Sequence, residues 1–309
     1  MKVTILKKAL LPEIPSASGI EVINGIIYII GDDSPYLFKL NQNLEILDRI
    51  KLYEPAELKE GKIPKPFKAD LECMSVVSIN NYPHLLILGS GSKSPQRDIA
   101  FLVKLPTNYN KKHLVFQVRV KDLYDLLRAN EEIVAEGELN LEGAATGKEN
   151  FILFNRMSGG SKNAALYFKL EEFIEYAQGH TEMTPFPTVY PYQLPAINNI
   201  PSGFSGGCIF DDKVFFTASV ENTPNAIDDG EVLGSYIGWM KQEDLYNKEL
   251  GKIYKAHGIT LLEENSSPYK GKVESITILE KDAETYIALA VTDNDDAGPS
   301  ELLMLEIEL

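Results

Sequence analysis

Short apolar runs of four to eight residues, rich in Ile, Val, Phe and Tyr and bounded by Gly, Asn, Asp, Ser and Pro, fill this chain from end to end. Runs of that length and composition are strands, and the polar clusters between them are turns. Residues 26–30 form one such run. They follow Asn24-Gly25, a two-residue hairpin signal, and end in the turn cluster 31–35. With 36–40 and 44–50 they make one antiparallel unit. A second unit has runs at 74–77, 85–88, 99–103 and 113–118, with Gly89-Ser90-Gly91-Ser92 between its second and third strands. Later units hold runs at 151–154 and 165–168, then at 207–210, 214–217 and 234–239, then at 276–279, 286–291 and 302–307. Residues 121–127 and 171–176 instead have helical spacing and predict two short surface helices.

A short motif opens each unit. Ser18-Gly19-Ile20-Glu21, Asp70-Leu71-Glu72-Cys73, Asn140-Leu141-Glu142-Gly143 and Lys272-Val273-Glu274-Ser275 share one step, and Gly203-Phe204-Ser205-Gly206 carries serine where the others carry the acid. Self-similarity at this period, with four strands per unit, predicts an all-β chain folded as a β-propeller of five four-stranded blades in a single domain, residues 1–309. The alternative is a sixth, degenerate blade within the insertions. The last unit is one strand short, and residues 3–10 are one strand too many. The N-terminal strand should therefore complete the last blade and close the ring, leaving no open edge.

Composition narrows the partners. The net charge is −15, with 45 acidic against 30 basic residues. A field of that sign repels phosphate backbones and anionic lipid, so nucleic-acid and membrane-surface binding are set aside and a small molecule is the expected partner. No run approaches the roughly 18 apolar residues of a membrane span, and the first residues lack the features of a signal peptide. As given, the chain reads as cytoplasmic; a removed leader would make it periplasmic or secreted. Cys73 and Cys208 fall within strand-like runs and read as buried thiols of the core.

The first strand of each propeller blade lines the central channel, so the repeated acid makes a ring. Glu21, Glu72, Glu142 and Glu274 are the candidate metal ligands. Glu142 and Glu72, with Arg156, are the candidate catalytic groups. Residues ending the second strands, or following them, face the same mouth and supply candidate ligand-binding side chains: Asp32, Asp33, Ser90, Arg97, Asn155, Arg156, Glu221, Asp293 and Asn294, with Lys162 nearby. Converging carboxylates need a cation, shared protons or basic partners. Glu, Asp, Asn and backbone carbonyls are the ligand set of calcium. Glutamates that merely staple neighbouring blades are the competing interpretation, and a five-bladed glycosidase with paired carboxylates is another. Asp293-Asn294-Asp295-Asp296 resembles part of a calcium loop without its 12-residue frame. Ser205 lacks the following helix of a nucleophile elbow. His84, His113, His180 and His257 have no ligand spacing.

Leu141-Glu142-Gly143-Ala144, Ser18-Gly19-Ile20-Glu21, Phe154-Asn155-Arg156 and Gly89-Ser90-Gly91-Ser92 together resemble the bacterial propeller proteins around the phytase-like, or esterase-like, domain, and within them an uncharacterised family. That resemblance implies a propeller with an acidic axial site able to carry calcium, and hydrolysis of an ester, lactone or phosphoester. Five units and Ser205 in place of one acid are where this chain departs from the pattern.

Overall fold

The computed structural model of the protein describes residues 1–106, 112–222, 230–249, 251–294 and 298–309. Its strands form five four-stranded antiparallel sheets arranged as blades around one axis. Blade 1 is β2 (Ala17–Ile23), β3 (Ile26–Gly31), β4 (Tyr36–Leu40) and β5 (Ile46–Lys51); blade 2 is β6 (Leu71–Ile79), β7 (Tyr82–Gly89), β8 (Ala100–Lys104) and β9 (Leu114–Val118). Blade 3 is β10 (Leu141–Thr146), β11 (Asn150–Asn155), β12 (Ala164–Lys169) and β13 (Thr188–Pro191). Two-stranded pairs occupy insertions: β14 (Ala196–Ile197) with β15 (Ile200–Pro201), and later β20 (Glu263–Glu264) with β21 (Ser267–Pro268). Blade 4 is β16 (Gly203–Phe210), β17 (Lys213–Asn222), β18 (Glu231–Lys241) and β19 (Gly258–Leu261); blade 5 is β22 (Lys272–Asp282), β23 (Thr285–Asp293), β24 (Ser300–Glu308) and, outermost, β1 (Lys2–Leu11).

The N-terminal strand thus closes the ring, pairing with β24 from Lys2↔Glu308 to Leu11↔Ser300. The insertions build no sixth blade among the described residues. They hold the two small strand pairs and the helices α1 (Lys121–Arg128) and α2 (Leu170–Ala177), which pack on the seam between blades 2 and 3 through Leu123, Tyr124, Leu127 and Phe173. The strands β13 and β19, absent from the sequence reading, are outermost and short, which leaves them little apolar pattern.

The core is layered between blades. Five separate apolar clusters fill the five seams, for example Tyr28, Ile30, Leu71 and Ile87 between blades 1 and 2, and Ala17, Ile29, Leu289 and Val291 between blades 5 and 1. A strand buried on both faces reads as a continuous apolar run, as Phe151-Ile152-Leu153-Phe154 does. Cys73 and Cys208 are buried and free in two different seams.

Every innermost strand bulges near its start. The register shifts at Ala17/Gly19, Leu71/Cys73, Leu141/Gly143, Phe204/Gly206 and Val273/Ser275, so Ser18, Glu72, Glu142, Ser205 and Glu274 are the five bulged residues. The residue after each bulge is small: Gly19, Cys73, Gly143, Gly206 and Ser275. Here the blades converge most tightly. A Cβ on Gly206 would lie 2.3 Å from the Glu274 carbonyl oxygen, and one on Gly143 would lie 2.7 Å from the Gly206 Cα. Both neighbours are backbone and cannot rotate away. Gly206→Ala should therefore destabilise the fold by about 1–3 kcal/mol, the usual cost of overpacking a tight core; a urea midpoint unchanged from wild type would refute this close approach.

Candidate functional site

The bulges decide which side chains reach the axis. A bulged residue is left out of the ladder and re-aimed, and here that places Glu72, Glu142 and Glu274 from three blades at one level with Ser18 and Ser205. The serines close their sectors by binding the next blade. Ser18 donates to the Leu71 carbonyl at 2.5 Å and Ser205 to the Val273 carbonyl at 2.6 Å, each the residue just before a ring glutamate. Ser205 is fully buried, with Thr217 Oγ1 3.0 Å away, which makes it a staple rather than a nucleophile.

Around this ring lies a dense set of opposite charges. The Lys68 ammonium binds Asp32 and also Asp70, the latter at 2.9 Å. Arg97 bonds Asp70 at 2.5 Å and Ser92 at 2.6 Å, and Ser90 donates to the same Asp70 carboxylate. Across the axis, Lys272 pairs with Glu274 at 2.8 Å and with Glu221 at 3.6 Å. Arg156 meets Glu221 at 3.3 Å and donates to Ser219 at 2.7 Å. Glu142 accepts a bond from Asn140 Nδ2 at 2.6 Å. Asp33 accepts from Ser16 at 3.1 Å and faces Lys62 at 3.4 Å.

One group of this set has the spacing of a cation site. Carboxylate oxygens of Asp32, Asp70 and Glu72 all lie within 4.8 Å of one another. Asp32 is 8% exposed and its Oδ1 has no hydrogen-bond partner; the same holds for Oε2 of Glu274, which is 2% exposed. Buried carboxylate oxygens without partners are costly and mark where a ligand would be welcome. Among the described residues the mouth's carboxylates (Asp32, Asp33, Asp70, Glu72, Glu142, Glu221, Glu274, Asp293) outnumber its cations (Lys62, Lys68, Arg97, Arg156, Lys272). Fully ionised, that set is net negative, and a bound cation or shared protons would relieve it.

Electrostatics distribute those protons unevenly. Burial, then the charges of Glu142, Asp70, Asp32 and Glu274, push the Glu72 carboxyl well above its ordinary range. Burial also raises Glu142, partly offset by Arg156 and Lys272. Burial lifts Glu274 to about 7 against the pull of Lys272, and burial with the Asp32 charge lifts Asp33 to about 6. Asp70 goes the other way. Burial opposes its charge, but Lys68 and Arg97 outweigh burial and hold it below the usual carboxylate range.

The sequence-predicted residues divide by place. Glu72, Glu142, Glu274, Asp32, Asp33, Ser90, Arg97, Arg156 and Glu221 are brought together at the mouth. Asp293 ends β23 on the same side, within the field felt by Lys62. Asn155 ends β11 and serves the fold, accepting from the Asn140 N–H at 3.0 Å and donating to the Lys162 carbonyl at 2.8 Å; Lys162 itself is exposed. Asn294 stands on the rim, bonded to the Pro299 carbonyl at 2.9 Å, while Asp295 and Asp296 lie outside the described residues. Glu21 does not join the ring. It stands three residues beyond the bulged Ser18, about 10 Å further along the axis at a strand rise near 3.3 Å per residue. It accepts there from the Val76 N–H at 3.3 Å and from Thr277 Oγ1 at 3.4 Å. The small residue after each bulge was the available signal: Ser18 is followed by Gly19, but Glu21 by Val22.

Lys68, Asp70 and Lys272 escaped the sequence reading. Asp70 and Lys272 each precede a ring glutamate by two residues, as Asn140 does, so the polar-x-Glu spacing carried them; Lys68 sits in an irregular connection that gives no pattern. The four histidines are elsewhere, for example His84 on the Tyr82 carbonyl at 2.9 Å and His257 tilted against Trp239.

The raised Glu72 makes a pH prediction. An unfolded chain releases this proton near the ordinary pKa of about 4.3, whereas the folded chain keeps it to a higher pH. Above that ordinary value the folded state binds more protons, so this residue's effect is to lower stability as pH rises. Glu72→Gln, with no proton to lose, should melt higher than wild type at pH 7 and level with it at pH 4. Melting curves that run parallel from pH 4 to 8 would refute the assignment.

Comparison with known proteins bears on the fold and the family. The solved structure of Myxococcus xanthus glutaminyl cyclase aligns over 99% of this chain and 97% of its own, with 7% identity and a TM-score of 0.52. The arabinanase Arb43A of Bacillus subtilis aligns over 96% and 94%, with 12% identity and a TM-score of 0.45. An exo-1,5-α-L-arabinanase from a bovine ruminal metagenomic library aligns over 95% and 92%, with 9% identity and a TM-score of 0.49. At such identities the likeness is one of fold. No curated protein matches the sequence. A family model does, over residues 13–307, and the chain belongs to the family of unknown function DUF6929.

Proposed function

We propose that the axial funnel binds a divalent cation, calcium by preference, and hydrolyses a small ester, lactone or phosphoester. The observation that carries this reading is the group Asp32, Asp70 and Glu72, whose oxygens lie within 4.8 Å of one another beside the unpartnered Asp32 Oδ1. The donors are all hard oxygens, which suits calcium, and the funnel's excess of negative charge favours a cation. Asp32 and Glu72 would hold it, and the Lys68 ammonium, which now neutralises part of that charge, would give way. When bound, a divalent cation polarises a carbonyl or phosphoryl oxygen and lowers the pKa of water.

The residues around it divide the remaining work. Arg156, held by Ser219 and Glu221, presents a guanidinium suited to clamp a carboxylate or phosphate oxygen. Carboxylates whose environments push their pKa values apart serve as acid and base. Glu274, which burial lifts to about 7, would give a proton to the departing alkoxide. Glu142, within the field of Arg156 and Lys272, is the better candidate to take one from the attacking water.

Two alternatives fare less well. The staple interpretation fits Glu21, which accepts from the neighbouring blade's Val76 N–H. It does not fit the others, since Glu142 accepts from Asn140 and Glu274 pairs with Lys272, each within its own blade. A glycosidase needs carboxyl groups about 5–5.5 Å or 6.5–9.5 Å apart with a sugar between them. Asp32, Asp70 and Glu72 are closer than that, with Asp32 and Asp70 sharing one ammonium.

A cation that binds only the folded state raises the melting temperature with its concentration. Protein stripped with chelator should melt progressively higher as CaCl2 is added, and Asp32→Asn should lose that response while remaining folded. No calcium-dependent shift in wild type would sink the cation reading. For the chemistry, Arg156→Met should lower kcat/KM on a p-nitrophenyl ester or phosphate by at least tenfold, the value of about 1.4 kcal/mol of lost transition-state binding. Absence of turnover by the calcium-loaded wild type across ester, lactone and phosphoester panels would leave the funnel as a binding site only.

A further inference from the structure

We propose that the channel holds a second binding site, below the acidic ring and separate from it, for a monovalent cation. Its basis is the bulge register. An extra residue breaks the two-residue alternation of a strand, so the residue three beyond each bulge faces the axis again. Counting on from Ser18, Glu72, Glu142, Ser205 and Glu274 gives Glu21, Ser75, Ala145, Cys208 and Thr277. Four of these five, all but Ala145, line one cavity of about 110 Å³, with Thr146 standing beside Ala145 in the third sector.

The chamber's chemistry is that of a hard, singly charged ligand. Glu21 contributes a carboxylate; Ser75, Thr146 and Thr277 contribute hydroxyl oxygens from three further sectors of the ring. Ser75 and Thr146 already meet at 2.8 Å across the seam between blades 2 and 3. No lysine or arginine lines the cavity, in contrast to the mouth above, where every ring glutamate has a cation in its field. The Glu21 carboxylate has neutral donors alone for company: Val76 N–H and Thr277 Oγ1 at 3.3 and 3.4 Å, both at the long end of hydrogen bonding, and the Val22 N–H. A confined carboxylate without a cation is a charge that must be matched or protonated. Consistent with this, burial lifts Glu21 to about 7 despite those bonds.

Size and charge select the occupant. A water's share of liquid volume is about 30 Å³, so the cavity takes one ion with a few waters and nothing as large as a metabolite. Calcium sites gather several carboxylates, and this chamber has one, enough for Na⁺, K⁺ or ammonium. Soft metals are disfavoured because burial, then the Glu21 charge, push the Cys208 thiol far above its ordinary range and keep it protonated.

The test compares melting temperatures at one ionic strength in choline, sodium, potassium and ammonium chlorides. At least one small cation should raise the melting temperature over choline, and should do so saturably. Glu21→Gln should abolish that difference, and Thr277→Val should reduce it if the Glu21 variant does not fold. Asp32→Asn, which disables the upper site, should keep it, so the two sites fail independently. In crystals soaked with thallous ion, an anomalous peak should lie between Glu21 and the Ser75–Thr146 pair. Equal melting in all four salts, a salt effect retained in Glu21→Gln, or a chamber holding only water after the soak would each overturn the proposal.

Discussion

The bulge at the head of each innermost strand is the constraint on which the rest of this structure depends. A flat ladder would send successive side chains alternately into the two seams and bring none regularly to the axis. One extra residue per blade changes that. It frees five side chains to converge, and it demands a small residue immediately afterwards so that the backbones can approach. Ring and packing are therefore one device. The blades meet through Gly143 and Gly206, and the acids meet because the blades do.

Convergence has an electrostatic cost that the fold meets in two ways. Two sectors avoid it: Ser18 and Ser205 are neutral and spend their hydroxyls on the next blade's backbone. The other three carry acids, and the fold surrounds them with Lys68, Arg97, Arg156 and Lys272. Buried ion pairs of this kind rarely add net stability, because desolvation consumes most of what the attraction returns. Carboxylates that outnumber their cations are also an incomplete solution. Leftover charge and orphaned oxygens at Asp32 and Glu274 are poor choices for a scaffold and reasonable ones for a site whose ligand completes them.

How much of this was legible in the sequence follows from what each feature needs. Strand runs and turn clusters are local, so the blades, the closing N-terminal strand and both helices could be read directly. The mouth residues Asp32, Ser90, Arg97, Arg156 and Glu221 were legible because loops after second strands must share one end of a propeller. Lys68 was not legible, since it lies in the irregular connection ahead of blade 2, where no period constrains it. The outer strands β13 and β19 were missed for a related reason, being short and half solvated.

Glu21 is the instructive case, because its motif resembled the others while its phase did not. Glutamate alone is a weak marker of position, since acids serve equally well in loops, staples and sites. The small residue after the bulge is a stronger one, because steric exclusion at 2.3–2.7 Å admits almost no alternatives there. Aligning on the small residue after the bulge places Ser18, not Glu21, in the ring, and turns a supposed gap in the pattern into a second serine sector matching Ser205. It also moves Glu21 to a level of the channel with no basic residue lining the cavity. One carboxylate displaced by three residues thus divides a single acidic funnel into two compartments. The upper is a crowded mixture of both charge signs, suited to a divalent ion and a reacting anion. The lower is small, hydroxyl-lined and singly charged. The bulge sets this division, since without it a residue three positions on would face a seam and the lower compartment would lose its only charge.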